Sequence, residues 1–253
     1  MPPGSVVRTI WADPDVVLLI FAGSSAEFAV NRAVDWLFVT GHLPRDPLGR
    51  LFSTVHYARQ ILFATADQAQ RTITAITAAH AAVERRRGER IPDWAHRDVL
   101  YMLIDQSQRA YGLLHEPLTA AQQEDLYATF LELGRGLNIP DLPQNFVRWE
   151  QDRESHLERD LTYSEFTERL YQQYRLHLGA WRYRLLLEVQ ALLVPPRVRD
   201  LLRLKPGNLA GASLDLYSLV GPLGIHPLVR RALVPRMYWS DIGRLEDGAD
   251  TAH

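Results

Sequence analysis

Residues 67–87 read DQAQRTITAITAAHAAVERRR, and this stretch decides the fold. Ala69, Ile73, Ile76, His80 and Val83 recur at three- and four-residue spacing, which puts all five on one face of an α-helix. Gly88 follows, a residue free to take the left-handed backbone that ends helices. His80 therefore takes a core position. Ala75, Ala78, Ala79, Ala81 and Ala82 form a low collar around it, of the kind a flat macrocycle would need for close approach. On helix-face logic alone, a histidine on an apolar stripe is more often a core residue bonded to a carbonyl or carboxylate. Alanine clusters also serve plain helix contact, so both readings stand.

Helical punctuation continues on either side. Asp46-Pro47 predicts a helix to about Ala64, because Asp caps and Pro in the first turn loses no needed hydrogen bond. Asp93 is expected to cap a helix from about Trp94 to Leu114. Thr119 with Gln122 forms a capping box for a helix reaching about Leu137, and Thr162 with Glu165 another, ending near Gly179. A further apolar helix, Trp181 to Leu193, precedes Pro195-Pro196, and Asp15 to Val39 reads as helix broken around Gly23-Ser24-Ser25. No stretch shows sustained period-two alternation, so no sheet is predicted. From Pro206 the chain is richer in Gly and Pro and reads as short helices and loops packed on the body over 206–246, with Asp247 to His253 a frayed tail. Without internal repeats or a low-complexity linker, residues 1–253 form one all-α domain, a multi-helix bundle.

Composition removes several kinds of chemistry. The apolar share of 47% and charged share of 23% suit a globular chain, and a net charge of −2 gives no electrostatic case for nucleic acid. Lys205 is the only lysine, and arginine supplies the remaining positive charge. The absence of cysteine excludes disulfides, thiolate nucleophiles, zinc–cysteine sites and iron–sulfur clusters. It also excludes covalent or thiolate-ligated haem, so that any haem is held non-covalently, with histidine the expected axial ligand. Dinucleotide, P-loop, serine-hydrolase and HExxH signatures are missing. None of the nine histidines follows a Glu by three residues, as a di-iron bundle requires, and Asp93/His96 is the nearest approximation. The most apolar N-terminal stretch, Val16 to Ala22, is too short to span a bilayer, and no targeting signal is visible, so the cytoplasm is the expected compartment.

In the helix after Asp46, Arg50 and Thr54 are four apart and share a face, while Leu48, Leu51, Phe52 and Val55 point elsewhere, toward a core. A short connection makes this helix an antiparallel neighbour of the His80 helix, so Arg50, Thr54 and His80 can border one cavity. Taken locally, a surface ion pair for Arg50 and back-bonding for Thr54 are the better-founded roles. His56 and Tyr57 could face the same cavity, although solvent is the commoner place for one of them. Asp105 and Arg109, four apart in an apolar helix, are a candidate buried pair, and an exposed pair is the commoner case. Trp94, Trp149 and Trp181 are expected in the core or an interface.

Residues 46–84, DPLGRLFSTVHYARQILFATADQAQRTITAITAAHAAVE, resemble the core motif of the rubber-oxygenase-like family, which includes latex-clearing proteins and fungal mycophenolic-acid pathway oxygenases. The matching positions are Arg50, Thr54 and His80. The similarity extends over about Asp13 to Leu202, including the helix after PLTAAQQ and the LPQNF turn near Leu142. The resemblance implies an all-helical fold around a buried pocket for haem b, with His80 the proximal iron ligand. It further implies that Arg50 and Thr54 lie by the haem, orienting bound oxygen, pairing with a distal carboxylate or holding a propionate. Ser53 stands where rubber-cleaving relatives place lysine, which puts polyisoprene cleavage in doubt. The expected activity is haem-dependent oxidation of a small hydrophobic substrate by dioxygen or peroxide. The alternatives are a non-catalytic helical module for an apolar ligand or partner helix, and haem storage or sensing without turnover. Oligomeric state is left open, a homodimer included.

Overall fold

The computed structural model describes residues 4–38, 46–205, 207, 232–240 and 243; for residues 37, 47, 48, 50–53, 55 and 56 it describes the main chain only. Helices α1 (Val6–Ala12) and α2 (Pro14–Val30) meet at Asp13. The Asp13 carboxylate accepts from the N–H groups of Asp15 and Val16, and Pro14 occupies the first helical position. Contrary to the sequence-based expectation, α2 runs unbroken through Gly23-Ser24-Ser25 and ends at Val30. The small residues serve contact instead of a turn. A Cβ on Gly23 would lie 1.9 Å from Gln106 Oε1, and Ser25 Oγ donates to Ala22 O and accepts from Gln190 Nε2 at 2.9 Å.

A 3-10 helix, Arg32–Leu37, continues from Asn31, whose side chain accepts from Ala33 N. Then come α3 (Pro47–Leu62), α4 (Ala66–Arg87), α5 (Asp93–Leu114) and α6 (Ala120–Gly136). Their ends follow the predicted chemistry at Asp46, Gly88 and Thr119. Gly88 takes φ 79°, and both halves of the Thr119–Gln122 box form. At α5, however, Asp93 is the first helical residue, and Pro92 is the N-cap with no side-chain cap bond. A second box, Thr65 with Gln68, opens α4.

Helix α7 (Phe146–Arg159), capped by Asn145, is absent from the sequence-based expectation. Helix α8 (Glu165–Leu193) is capped by Ser164 with Thr167, not by Thr162 with Glu165, because the Thr162 N–H donates to Val30 O. It continues past Gly179, which breaks the helical angles at φ 72° and ψ 170°. Helix α9 (Pro196–Leu202) follows. Among the described residues the only β-type pairing is the isolated bridge between Asn31 and Leu161.

The architecture is an all-α bundle built on α2, which lies against α5 and α8. Val16, Val17, Ile20 and Phe21 pack into a core with Tyr101, Ile104, Tyr127, Phe130, Trp149 and Leu170. Full burial of each such aliphatic or Phe side chain contributes roughly 1.5–3 kcal/mol before entropy. A smaller cluster joins Ala26 and Val30 of α2 to Leu161, Val194 and Val198. Trp149 is buried and Trp94 half-buried beneath the Arg32 guanidinium, whereas Trp181 is 53% exposed and so lies outside the core. Of the segment from Pro206, the 3-10 turn Arg236–Tyr238 is described, and the Tyr238 hydroxyl donates to Asp46 at 2.5 Å. Most of the expected helices and loops there, the tail from Asp247, and the side chains of Leu48, Leu51, Phe52 and Val55 lie outside the described residues.

Candidate functional site

Helix α4 packs along α3, its principal neighbour, and stands off from the rest of the bundle. Of its residues only Ile73 is buried, while Ile76, His80 and Val83 are half-buried and Ala75, Ala78, Ala79 and Ala82 are exposed. The space between α4 and the bundle is a cavity of about 200 Å³. His80 and Val83 form its α4 wall, with Ala95, His96, Val99, Leu100 and Leu103 of α5 opposite. Phe28, Trp36 and Leu133 contribute from α2, the 3-10 helix and α6.

The turn between α4 and α5 is held by several polar contacts. Glu84 Oε1 accepts from Ile91 N at 2.9 Å, across the left-handed Gly88. Arg87 pairs with Asp35 at 2.7 Å and with Glu89 at 3.1 Å, and its guanidinium lies 3.8 Å from the Trp36 ring centre. That stacking fixes Trp36, one wall of the cavity, against the end of α4.

Two imidazoles face each other in this cavity. The ring centres of His80 and His96 are 4.9 Å apart, with the planes inclined at 43°. Burial holds the His96 imidazolium below the ordinary histidine pKa, against the opposing charges of Glu84 and Asp93. His96 is thus a neutral ring with a free lone pair at neutral pH, the form in which histidine binds metals.

The other predicted site residues are placed differently. Thr54 is exposed and does not line the cavity, although α3 and α4 pack together as expected. Tyr57 is 44% exposed. The side chains of Arg50, Ser53 and His56 lie outside the described residues.

Two polar clusters elsewhere are deeply buried. Arg153 of α7 donates to Glu27 at 2.6 Å and to Asp105 at 3.1 Å, and Arg109 donates to Asp105 at 2.7 Å. The Asp105–Arg109 pair is therefore part of an interior network, with Asp105 only 4% exposed. Burial raises the Glu27 pKa, more than Arg153 lowers it. Burial also acts to raise Asp105, but Arg153 and Arg109 together outweigh it and hold Asp105 below the ordinary carboxylate value. The second cluster joins His156 Nδ1 to Asp98 and, at 3.1 Å, to Asp160. Asn31 donates to Asp98 at 2.6 Å, and Arg159 to Asp160 at 2.8 Å. The three ligand-type atoms of Asp98, His156 and Asp160 lie within 4.8 Å of one another, and their mutual contacts with Asn31 and Arg159 form a buried polar network joining α5 to the end of α7.

The candidate site is thus an apolar cavity with two histidine rings on its walls, set within the helical bundle. Residues 10–221 match the family described as ER-bound oxygenase mpaB/B'/rubber oxygenase, catalytic domain. The chain belongs to that oxygenase family. No curated protein matches it. Among the described residues, no helix is long and apolar enough to cross a membrane.

Proposed function

We propose that the protein is a haem-dependent oxygenase of a small hydrophobic substrate, holding non-covalent haem b through His80. The observation that carries this reading is the His80 ring on the wall of an apolar cavity, in a chain belonging to an oxygenase family. The donor chemistry fits the cofactor. An imidazole is a common haem ligand, the walls are carbon-rich, and the absence of cysteine leaves non-covalent binding as the mode. The cavity volume is smaller than the 300–1,000 Å³ or so of sites that enclose drug-sized ligands. Helix α4, packed chiefly on α3, is the wall least tied to the rest of the bundle.

When bound, the haem supplies the oxidative chemistry with dioxygen or peroxide. The protein's own contributions are narrower. His80 offers a ring nitrogen to the iron. Phe28, Val99, Leu103 and Leu133 exclude water and favour an apolar substrate over a polar one. By the family resemblance, Arg50 and Thr54, on the helix beside α4, would serve the polar edge of the haem, with Thr54 placed outside the cavity wall. Ser53 in place of a lysine removes an amine that would otherwise compete for the iron.

A second reading, apolar-ligand or haem binding without turnover, is favoured by the exposure of Thr54 and its absence from the cavity wall. The deciding experiment is an absorption spectrum with haem extraction on the purified protein beside His80→Ala. Near-stoichiometric haem with a Soret band that collapses in the variant supports the proposal. A protein that stays colourless after haem-replete expression and takes up no added haem overturns it. Oxidation assays on haem-loaded protein then separate turnover from simple binding.

A further inference from the structure

We propose that the middle of α8, together with residues 232–239, is a surface on which the protein docks peripherally against an anionic lipid bilayer. None of its residues lines the His80 cavity.

Its charge is of one sign. Residues 169–187 carry Arg169, Arg175, Arg182 and Arg184 and no Asp or Glu, in a chain whose net charge is −2. Arg175 is exposed, and Arg184 keeps 73% of its side chain accessible although it touches Glu188 at 3.4 Å. Between these two cations the solvent side of α8 presents Leu176, Gly179, Ala180 and Trp181.

Large apolar side chains stand among the arginines. Leu176 is 74% exposed, and Trp181 also faces solvent. The Arg182 Nε donates to Ala232 O at 2.9 Å, which joins to α8 a second segment bearing the exposed Met237 and Trp239. Both segments repeat one arrangement: the Arg182 guanidinium lies 4.5 Å from the Trp181 ring centre, and that of Arg236 lies 5.6 Å from the Trp239 ring centre. Apolar residues scattered singly over a surface are ordinary. Here two indoles, each with a stacked arginine, accompany Leu176 and Met237. Indoles collect at the level of lipid headgroups, where the ring meets acyl chains and its edge meets polar groups. A planar guanidinium matches phosphate oxygens and sheds water more readily than an ammonium.

The same features disfavour a second copy of the chain, since a two-fold contact would set arginine against arginine. Leu176 and Met237 project into solvent, and insertion at the headgroup boundary covers them. Among the described residues no helix is long and apolar enough to cross a membrane, so the docking is peripheral. Each arginine close to an anionic leaflet strengthens binding about five-fold, an attraction that salt screens.

The test is co-sedimentation of the full-length protein with vesicles of phosphatidylcholine mixed with phosphatidylserine, beside vesicles of phosphatidylcholine alone. The expected result is binding to the mixed vesicles, release as salt rises, and little binding to the neutral ones. Arg175→Gln with Arg184→Gln should weaken binding about 25-fold. Leu176→Ser with Trp181→Ser should weaken it while leaving the salt dependence in place. Quenching of wild-type tryptophan fluorescence by brominated lipid in the mixed vesicles needs no variant, and serves should either double variant fail to fold. No binding to the mixed vesicles, equal binding to both kinds, or binding that both variants leave unchanged overturns the proposal. So does a dimer in sedimentation velocity that Leu176→Ser dissociates, which gives the surface to a second copy instead.

Discussion

Replacing Arg153 with methionine tests the interior network most directly. Methionine keeps an unbranched side chain but removes the cation shared by Glu27 and Asp105, whose residues are 2% and 4% exposed. Asp105 retains Arg109 at 2.7 Å, so Glu27 is the group left without its counter-ion. Breaking one side of a buried ion pair costs about 3–5 kcal/mol, much more than the ~0–1 kcal/mol of a surface pair. For a chain of this size that corresponds to a melting-temperature drop of roughly 6–20 °C.

The loss must also depend on pH. Burial already places the folded-state pKa of Glu27 above its unfolded value, and losing Arg153 raises it further. A raised carboxyl binds its proton more tightly in the folded state, so the folded form is favoured below the unfolded value of about 4.3 and loses that advantage as pH rises through the folded value. The deficit of Arg153→Met should therefore be largest near neutral pH and shrink on acidification toward about pH 5. Adding Glu27→Gln to the variant should recover part of the loss, because the uncompensated charge is gone. Urea unfolding followed by helical circular dichroism measures all three quantities. A loss below about 1 kcal/mol, a deficit independent of pH, or no recovery in the double variant would refute the reasoning.

Gly23→Ala should destabilise by about 1–3 kcal/mol through overpacking, since the added Cβ meets the amide of a fully buried Gln106; denaturant midpoints check this, and a neutral or stabilised variant would contradict the close approach. Thr119→Ala removes the hydroxyl half of the α6 capping box and should cost about 0.5–2 kcal/mol in the same assay; an unchanged midpoint would contradict the cap.

Boundaries were legible at several of the caps. Asp46, Gly88 and the Thr119–Gln122 pair do locally what their chemistry dictates, because a cap needs only a few neighbouring residues. Errors arose where tertiary contacts assigned the same residue types to another task. Gly23, Ser24 and Ser25 look like a break in one dimension but form a smooth helical surface against α5 and α8. Thr162 belongs to a backbone bridge, leaving the cap to Ser164. Helix α7 escaped notice because its buried stripe, Phe146, Trp149, Arg153 and His156, has helical spacing but is half polar. Apolar periodicity fails when the core is held by ion pairs, and only the Asn145 cap signalled a start. In the candidate site, the His80 face could be read from α4 alone. His96 could not, because its relation to His80 depends on where the α4–α5 turn sends the chain.

The position of α2 bears on how the protein is made. Its apolar residues find their partners on α5 and α8, and α8 is complete only about 160 residues after α2 has been synthesised. At typical elongation rates of ~5–20 residues per second, the most apolar helix waits on the order of 8–30 s for its last neighbour. Until α5 and then α8 emerge, part of its apolar surface stays uncovered, a substrate for chaperones or for aggregation. The fold is thus closed from its far end, and ribosome-bound chains truncated before α8 should be captured by holdases far more readily than chains that include it.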